Sequence, residues 1–308
     1  MAVSKPQNAQ NLAVGREKLL GHLAMLLFAA LIAGSFSIGD LAVPFLAPAA
    51  LNSLRFFLAC ILMAVVVFAV TGAFPKFPEA PGRFFILGGL MGLYFVLMFV
   101  ALKISSPVST GAVFTLIPMM SAAFGWWFIG QTTRPIVLLS LLIAAAGAVW
   151  VIFKGDINAI LNFEIGKGEA LFFIGCAGHA AYAPLVKKFS RGEPASLFAF
   201  YSLSATWFWI TLVAIPDIFG TDWTALPSIV WIGIAYLVIF TTATTFFLLR
   251  YAAVRLPASK VLSYGYLTPS FIILIEGLIG HGWVSLSVMA GALVTALALA
   301  VVALSPDS

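Results

Sequence analysis

The sequence predicts an all-α integral membrane protein of ten transmembrane helices, arranged as two inverted five-helix repeats with both termini in the cytoplasm. Three observations lead to this prediction. The 308-residue chain is 62% hydrophobic and only 9% charged, whereas soluble domains carry about 25% charged residues. Its lysines and arginines fall mainly on one side of the predicted spans. Two of its segments also resemble each other around Pro118 and Pro269.

Apolar runs of about 20 residues recur along the chain, which is the length that a helix needs to cross a bilayer. The first run follows Arg16 and Lys18 and resembles a signal peptide, but it is longer than such segments and nine further runs follow. We therefore expect ten spans, at residues 19–38, 50–70, 84–102, 108–129, 136–153, 169–186, 195–216, 228–249, 258–279 and 283–304.

The longest linker lies between the fifth and sixth spans, where two five-helix halves would be joined. We expect a cytoplasmic tail over residues 1–18, a first repeat over 19–153, an external linker over 154–168 and a second repeat over 169–304. An odd number of spans per half inverts the second half relative to the first. Inverted repeats are common in secondary transporters, whose substrate site lies near the midplane between the halves.

The orientation follows from the basic residues, which concentrate in cytoplasmic loops. With the N-terminus inside, the outer loops hold three of the sixteen lysines and arginines, namely Lys103, Lys154 and Lys167, and Arg55 lies within span two. The net charge of +5 is thereby explained by the lipid bilayer and not by a nucleic-acid partner. The other twelve lie inside: Lys5, Arg16, Lys18, Lys76, Arg83, Arg134, Lys187, Lys188, Arg191, Arg250, Arg255 and Lys260.

The duplication is clearest between residues 100–130 and 251–280, and AAAGAVW at 144–150 also resembles MAGALVT at 289–295. Span two opens with APAALNSLRFF and span one carries Gly34-Ser-Phe36. The segments ALKISSPVSTGAVFTLIP and AAVRLPASKVLSYGYLTP share one pattern. In these features the chain resembles the EamA family of the drug/metabolite transporter superfamily, over about residues 19 to 304.

This resemblance implies a ten-helix carrier that moves small metabolites, often by exporting amino acids or related compounds. It also implies that Arg55 is a structural anchor more than a ligand. The chain departs from the family where Gly130 and Gly280 precede Gln131 and His281 instead of glutamate. Ala33 also stands where the family has tryptophan. Roles of those family glutamates therefore do not carry over.

Ionisable groups inside a membrane are costly and are candidates for function. Glu276 is either a proton-titrating group that couples transport or a carboxylate that reaches the outer interface. Lys260 either attracts a substrate carboxylate or, as we favour, extends to the inner interface. Sixteen residues, about 24 Å of helix, separate the two, so they cannot pair directly.

Polar and aromatic side chains within the spans are candidates for a substrate cavity, although each of them also suits ordinary helix packing. Pro118 and Pro269 free backbone carbonyls that a wet cavity could satisfy, which points to spans four and nine as the central site. The predicted substrate-binding residues are Tyr94, His179, Tyr182, Thr241, Thr244, Lys260, Ser263, Tyr264 and Tyr266. The predicted coupling or gating residues are Glu276, Pro118, Pro269, Trp126 and Trp127.

No cofactor or metal is expected. The only Gly-Lys pair lacks the spacing of a phosphate-binding loop, the three histidines are scattered, and Cys60 and Cys176 lie in apolar runs. No set of acid, base and nucleophile indicates an enzyme. We expect a secondary transporter that exports apolar or aromatic amino acids or related compounds, as a monomer or homodimer, with protons as a candidate coupling ion. The alternatives are a facilitator or importer of another metabolite, and a membrane scaffold or sensor.

Overall fold

The computed structural model describes residues 15–256 and 258–303, in which every regular element is helical. Residues 1–14 of the predicted tail lie outside the described residues. The helices are α1 (Gly15–Ala42), α2 (Pro48–Thr71), α3 (Gly82–Leu102), α4 (Pro107–Phe114), α5 (Ile117–Ile129), α6 (Pro135–Ile152), α7 (Ile157–Leu161), α8 (Lys167–Phe189), α9 (Ala195–Gly220), α10 (Ser228–Val238), a π-helical segment (Ile239–Thr244), α11 (Thr245–Ala253), α12 (Ala258–Ser263), a 3-10 segment (Tyr264–Leu267), α13 (Thr268–Leu278) and α14 (Leu286–Ala303).

Every predicted span coincides with one helix or with consecutive helical segments. Within the described part of the chain, eight stretches have the length and composition to cross a membrane, and a shorter apolar helix lies at Leu286–Val301. The prediction of an all-helical membrane protein is therefore confirmed. The short helix α7 in the central linker was not predicted; the Asp156 carboxylate caps it by accepting from the backbone N–H groups of Asn158 and Ala159.

Spans four and nine are each interrupted near their middle. The helix stops at Phe114 and restarts at Ile117, and it stops again at Ser263 and restarts at Thr268. Pro118 and Pro269 stand in the first turn of the restarted helices, α5 and α13. Proline fits there because the N–H that it lacks has no partner in the first turn of a helix. Both predicted breaks are therefore present, and each is followed by a helix with proline in its first turn.

The two halves share one spacing in their last two spans. The shift of 151 residues that carries Pro118 onto Pro269 also relates the first residues of α4 and α12, of α5 and α13, and of α6 and α14. The similarity between 144–150 and 289–295 corresponds to a different shift, of 145 residues. The helix starts therefore favour the shift of 151 residues over the shift of 145. Both short motifs are stretches of small residues, which can be aligned in several registers.

Helices α6 and α14 pack through close contacts that obey the same shift. A Cβ on Gly147 would lie 2.7 Å from the carbonyl oxygen of Gly291, and the Ser140 hydroxyl donates to the carbonyl oxygen of Ala298 at 2.9 Å. The shift maps Gly147 onto Ala298 and Ser140 onto Gly291. Each contact is therefore the image of the other, as expected at an interface between two equivalent elements.

The two ends of the bundle carry different polar contacts. At the end where α1 begins, here named the N-terminal end, Arg255 bonds Glu17 at 2.9 Å, and Arg83 bonds Glu193 and the carbonyl oxygen of Phe189. Burial raises the pKa of Glu193, but hydrogen bonds from Arg83 and from the backbone of Arg191 outweigh it and hold the pKa at about 2. At the opposite end, Glu169 at the start of α8 accepts from Ser105 and Ser109.

Gly88 allows α3 to approach α9 closely, as small residues do where membrane helices pack together. A Cβ on Gly88 would lie 2.5 Å from the carbonyl carbon of Ala205 and 2.6 Å from the nitrogen of Thr206. Both are backbone atoms, which cannot move aside without shifting α9. The absence of a side chain at this position therefore sets the distance between the two helices.

We expect Gly88→Ala to lower the melting temperature of the purified protein by several degrees, since overpacking typically costs about 1–3 kcal/mol. The matched control is Gly82→Ala in the same helix, where a Cβ would meet nothing within 4 Å. The control should melt at the wild-type temperature or slightly above it. Equal melting temperatures for the two variants would contradict this account of the α3–α9 contact.

Candidate transport site

A cavity of about 230 Å³ lies between α1, α2, α3, α8, α9 and the helix that contains the π-helical segment. Its wall is mostly aromatic and aliphatic. The polar groups on it are Arg55, Tyr182, Ser202, Thr206 and the threonines of the π-helical region. Pockets for drug-sized ligands span about 300–1,000 Å³, so this cavity suits a small metabolite.

The cavity lies toward the N-terminal end of the bundle. It is lined by Tyr182 in the last third of α8, by Ala199 in the first turns of α9 and by Leu249 in the middle of α11. Arg55, in the second turn of α2, marks its inner limit nearer the opposite end. A ligand entering from the N-terminal end would meet apolar surface first and the guanidinium last.

The π-helical segment shapes one wall of the cavity. Thr242 and Thr244 donate to carbonyl oxygens five residues earlier, at 2.9 Å to Leu237 and 2.9 Å to Ile239. Thr241 and Thr245 donate four residues back. These hydroxyls satisfy carbonyl groups where the wide turn interrupts the regular ladder, as a membrane interior requires. Single π turns occur often at functional sites.

The wide turn also decides which threonines face the cavity. Thr241, Thr242 and Thr245 line it, whereas Thr244 does not. Of the two predicted threonines, Thr241 lies on the cavity wall and Thr244 does not, and Thr242 and Thr245 lie there as well. The physical reason is the change of phase: a π turn holds more residues than the 3.6 of an α-helix, so α-helical spacing assigns the wrong faces.

Arg55 is the functional candidate that sequence reasoning placed among the structural residues. Its side chain is buried, with the residue 3% exposed. Nη2 donates to the Thr241 hydroxyl at 3.1 Å. Nε and Nη1 have no hydrogen-bond partner among the described residues. The guanidinium lies 4.6 Å from the ring centre of Phe95 and 5.3 Å from that of Phe56.

Of the three aromatic candidates on α3 and α8, only Tyr182 lines the cavity. His179 stacks on Tyr182, with ring centres 6.5 Å apart, and lies 4.7 Å from the ring of Tyr94. Its Nδ1 has no partner among the described residues. Tyr94 is 5% exposed and packs in the main core against Phe172. His179 and Tyr94 thus form the layer directly behind the cavity wall.

The candidates around the broken ninth span lie away from the cavity. Tyr264 bonds Nδ1 of His22 on α1 at 2.8 Å, and the ring of Tyr266 is buried beside Leu141 and Ala298. Lys260 is buried, with 3% exposure. Ser263 donates to the Lys260 carbonyl oxygen at 2.9 Å. These residues join the break to α1, α6 and α14.

Pro118 and Pro269 do not line the cavity either, since neither belongs to its wall. Trp126 and Trp127 are 68% and 71% exposed on the outer surface of α5, where Trp127 stacks with Phe124 and Phe128. The two tryptophans thus lie at the periphery of the helix bundle.

Glu276 is buried near the opposite end of the bundle, with 7% exposure. Its Oε2 lies 2.7 Å from Nδ1 of His281, and its Oε1 has no partner among the described residues. Asp40, in the last turn of α1, is close enough to act electrostatically on both groups. His281, which the sequence marked only as a departure from the family, is thus the partner of Glu276.

Comparisons with known proteins agree with this architecture. The model of the EamA-like transporter family matches residues 19–153 and, a second time, residues 166–304. A relative from Bacillus subtilis (strain 168), named "Uncharacterized transporter YyaM", is 23% identical over 84% of this chain and 86% of its own. "Uncharacterized transporter YrdR" from the same organism is 27% identical over 53% of each chain. A crystal structure shares the fold with a TM-score of 0.63 at 20% identity, covering 92% of this chain and 96% of its own.

The assignment of faces around the π-helical segment can be tested with cysteines. In a background without Cys60 and Cys176, we expect Thr242→Cys to react with a charged methanethiosulfonate reagent. Thr244→Cys should react much more slowly, because only a thiol in contact with water forms the reactive thiolate. Labelling rates followed by mass spectrometry provide the measurement. Equal rates at the two positions, or the reverse order, would contradict the assignment.

Proposed function

The chain belongs to the EamA-like transporter family, and from this we propose that it exports a small metabolite by alternating access through ten transmembrane helices. The family is one of transporters and not of enzymes, and the protein is a multi-pass integral membrane protein. The proposed cargo is an amino acid with an apolar or aromatic side chain, or a related compound. The mostly apolar wall and small volume of the cavity support that choice.

The observation that carries this proposal is a pair of equivalent contacts at opposite ends of the bundle. Glu17 and Glu169 are each the third residue of the first helix of their half, α1 or α8. Each contacts the segment just before the broken span of the other half. Glu17 binds Arg255, three residues before α12. Glu169 binds Ser105, two residues before α4. We name these two contacts the end clasps.

The end clasps differ in tightness, which fits one state of an alternating-access cycle. Glu169 is 8% exposed and accepts from two serines, with Ser109 at 2.6 Å. The Glu17 side chain is 53% exposed and that of Arg255 is 24% exposed. The opposite end is thus the more tightly closed of the two, and the cavity lies toward the other. If the end clasp of Glu169 loosened and that of Glu17 tightened, the cavity would open to the other side of the membrane.

The proposed topology places residues 1–18 and the N-terminal end of the bundle in the cytoplasm, residues 154–168 outside, and the two repeats at 19–153 and 169–304. The excess of lysine and arginine at the N-terminal end supports it. In this orientation the cavity faces the cytoplasm, which is the loading side for an exporter. Arg55, Tyr182, Ser202, Thr241, Thr242 and Thr245 are the proposed substrate-binding residues.

Counterflow in proteoliposomes tests the transport proposal. Vesicles loaded with unlabelled L-phenylalanine or L-leucine should accumulate the labelled amino acid transiently, and vesicles without protein should not. A scaffold or sensor would bind ligand without this accumulation. Absence of counterflow for all apolar and aromatic amino acids would contradict the proposed cargo.

Proton coupling is proposed to run through Glu276, because a buried carboxylate beside His281 and near Asp40 can exchange a proton at the closed end. We expect Glu276→Gln to abolish substrate-dependent proton movement, measured with a pH-sensitive dye in liposomes, while counterflow persists. Asp222→Asn is the matched control, since that carboxylate bonds Thr224 in an exposed loop. Proton movement in Glu276→Gln equal to that of the wild type would contradict coupling through Glu276, and absence of substrate-dependent proton movement in the wild type would leave uncoupled export as the alternative.

A further inference from the structure

We propose that Arg55 is the anion-binding residue of the cavity and that the transported compound carries a single carboxylate on a small apolar or aromatic body. This inference rests on the proposed function, because it names the chemical class that the same cavity recognises. It assigns a ligand role to a residue that the family resemblance placed in the structural framework.

The first argument is the uncompensated charge. Arg55 is the only charged residue on the described wall of the cavity, and it forms no ion pair among the residues that the structure describes. A guanidinium stays protonated at any physiological pH. Burying such an ion without a counter-ion is strongly unfavourable. An anion that enters the cavity would supply the missing charge.

The second argument is the geometry of the free donors. The Thr241 hydroxyl takes one N–H of Nη2, and it donates its own proton to the carbonyl oxygen of Leu237. Nε and Nη1 keep unsatisfied N–H groups. A guanidinium offers donors in a fixed planar fork that matches the two oxygens of a carboxylate. The contact with Thr241 and the rings of Phe56 and Phe95 hold this fork in place.

The third argument distinguishes a carboxylate from a phosphate group. A phosphate monoester carries a charge of about −1.5 to −2 at neutral pH, which one arginine cannot balance. A carboxylate carries one negative charge and matches one guanidinium. Besides Arg55, the cavity wall contains Met63, Met91 and Phe95. Those side chains would contact an apolar or aromatic body and leave its acidic group to Arg55.

The alternative role for Arg55, an anchor between α2 and the eighth span through Thr241, predicts a different effect on stability. Removing an anchor destabilises the empty protein. Removing a buried charge that has no counter-ion in the empty protein does not destabilise it, and replacing unpaired buried ions by apolar side chains often stabilises the folded protein. The melting temperature of Arg55→Met without ligand therefore separates the two roles.

The test is ligand-induced thermal stabilisation of the purified full-length protein with matched probes. The probes are L-phenylalanine, 3-phenylpropanoate, its neutral amide 3-phenylpropanamide, and phenyl phosphate. Wild type should bind at least one carboxylate and bind the amide much more weakly. Arg55→Gln and Arg55→Met should weaken carboxylate binding by about 30-fold or more, as losing one partner of a buried charge pair does. Both should melt without ligand no lower than wild type.

The controls are chosen so that each result decides the question. Arg191→Gln also removes one positive charge, but from an exposed loop, and should bind as wild type does. Arg55→Lys keeps the charge, loses the fork and should bind with intermediate affinity. Equal binding of acid and amide, tighter binding of phenyl phosphate, no binding of either carboxylate, or a lowered melting temperature of both Arg55→Gln and Arg55→Met would each overturn the inference.

Counterflow separates this inference from the proposed function. If carboxylates bind through Arg55 but the wild type shows no counterflow, transport fails and the anion site stands. If wild type and Arg55→Gln show equal counterflow of L-phenylalanine, transport stands and the role of Arg55 fails.

Discussion

The constraint on which this structure depends is that each backbone N–H and C=O group inside a bilayer needs a partner within the protein. Regular helices meet it automatically, so every interruption needs local compensation. Among the described spans, the helix breaks before α5 and before α13 and widens at the π-helical segment, and Pro184 and Pro216 also stand inside α8 and α9. Prolines form the two breaks by removing a donor, and threonine hydroxyls satisfy the π-helical segment. The π-helical segment with its threonines borders the cavity. Pro118 and Pro269 lie in packed regions away from it.

The repeated spacing of 151 residues connects packing to the proposed motion. Gly147 and Gly291 let α6 and α14 approach closely, and these two helices are equivalent elements of the two halves. The first helix of each half instead contacts the broken span of the other half through an end clasp. One interface is therefore tight and symmetric, and the other depends on polar contacts that differ at the two ends. A rocking motion would keep the first and exchange the second.

Sequence reasoning located the spans and both breaks because apolar length and proline act locally. Features that depend on distant partners are not visible in the sequence. Trp126 and Trp127 lie at the surface, and the sequence cannot say which face of α5 meets other helices. Regular α-helical spacing puts Thr244 on the face of Thr241, whereas the wall of the cavity carries Thr242 and Thr245 around the π-helical segment. Arg55 could have been found by one signal, a charge in an apolar run with no acidic residue near it in the sequence. Its contact, Thr241, lies 186 residues away.

The position of Arg55 gives the inferred anion site a mechanical meaning. Arg55 belongs to the first half of the chain, and Thr241, Thr242 and Thr245 belong to the second. A carboxylate on the guanidinium whose body reaches the threonines would contact both halves at once. Ligand can shift a conformational equilibrium only through different affinity for the two states, and a ligand that spans the interface meets that condition. In the empty protein, the buried guanidinium has no counter-ion, and a closed cavity would leave it unpaired, which is costly. The loaded protein lacks that cost, so the same charge that selects the cargo would favour closure around it.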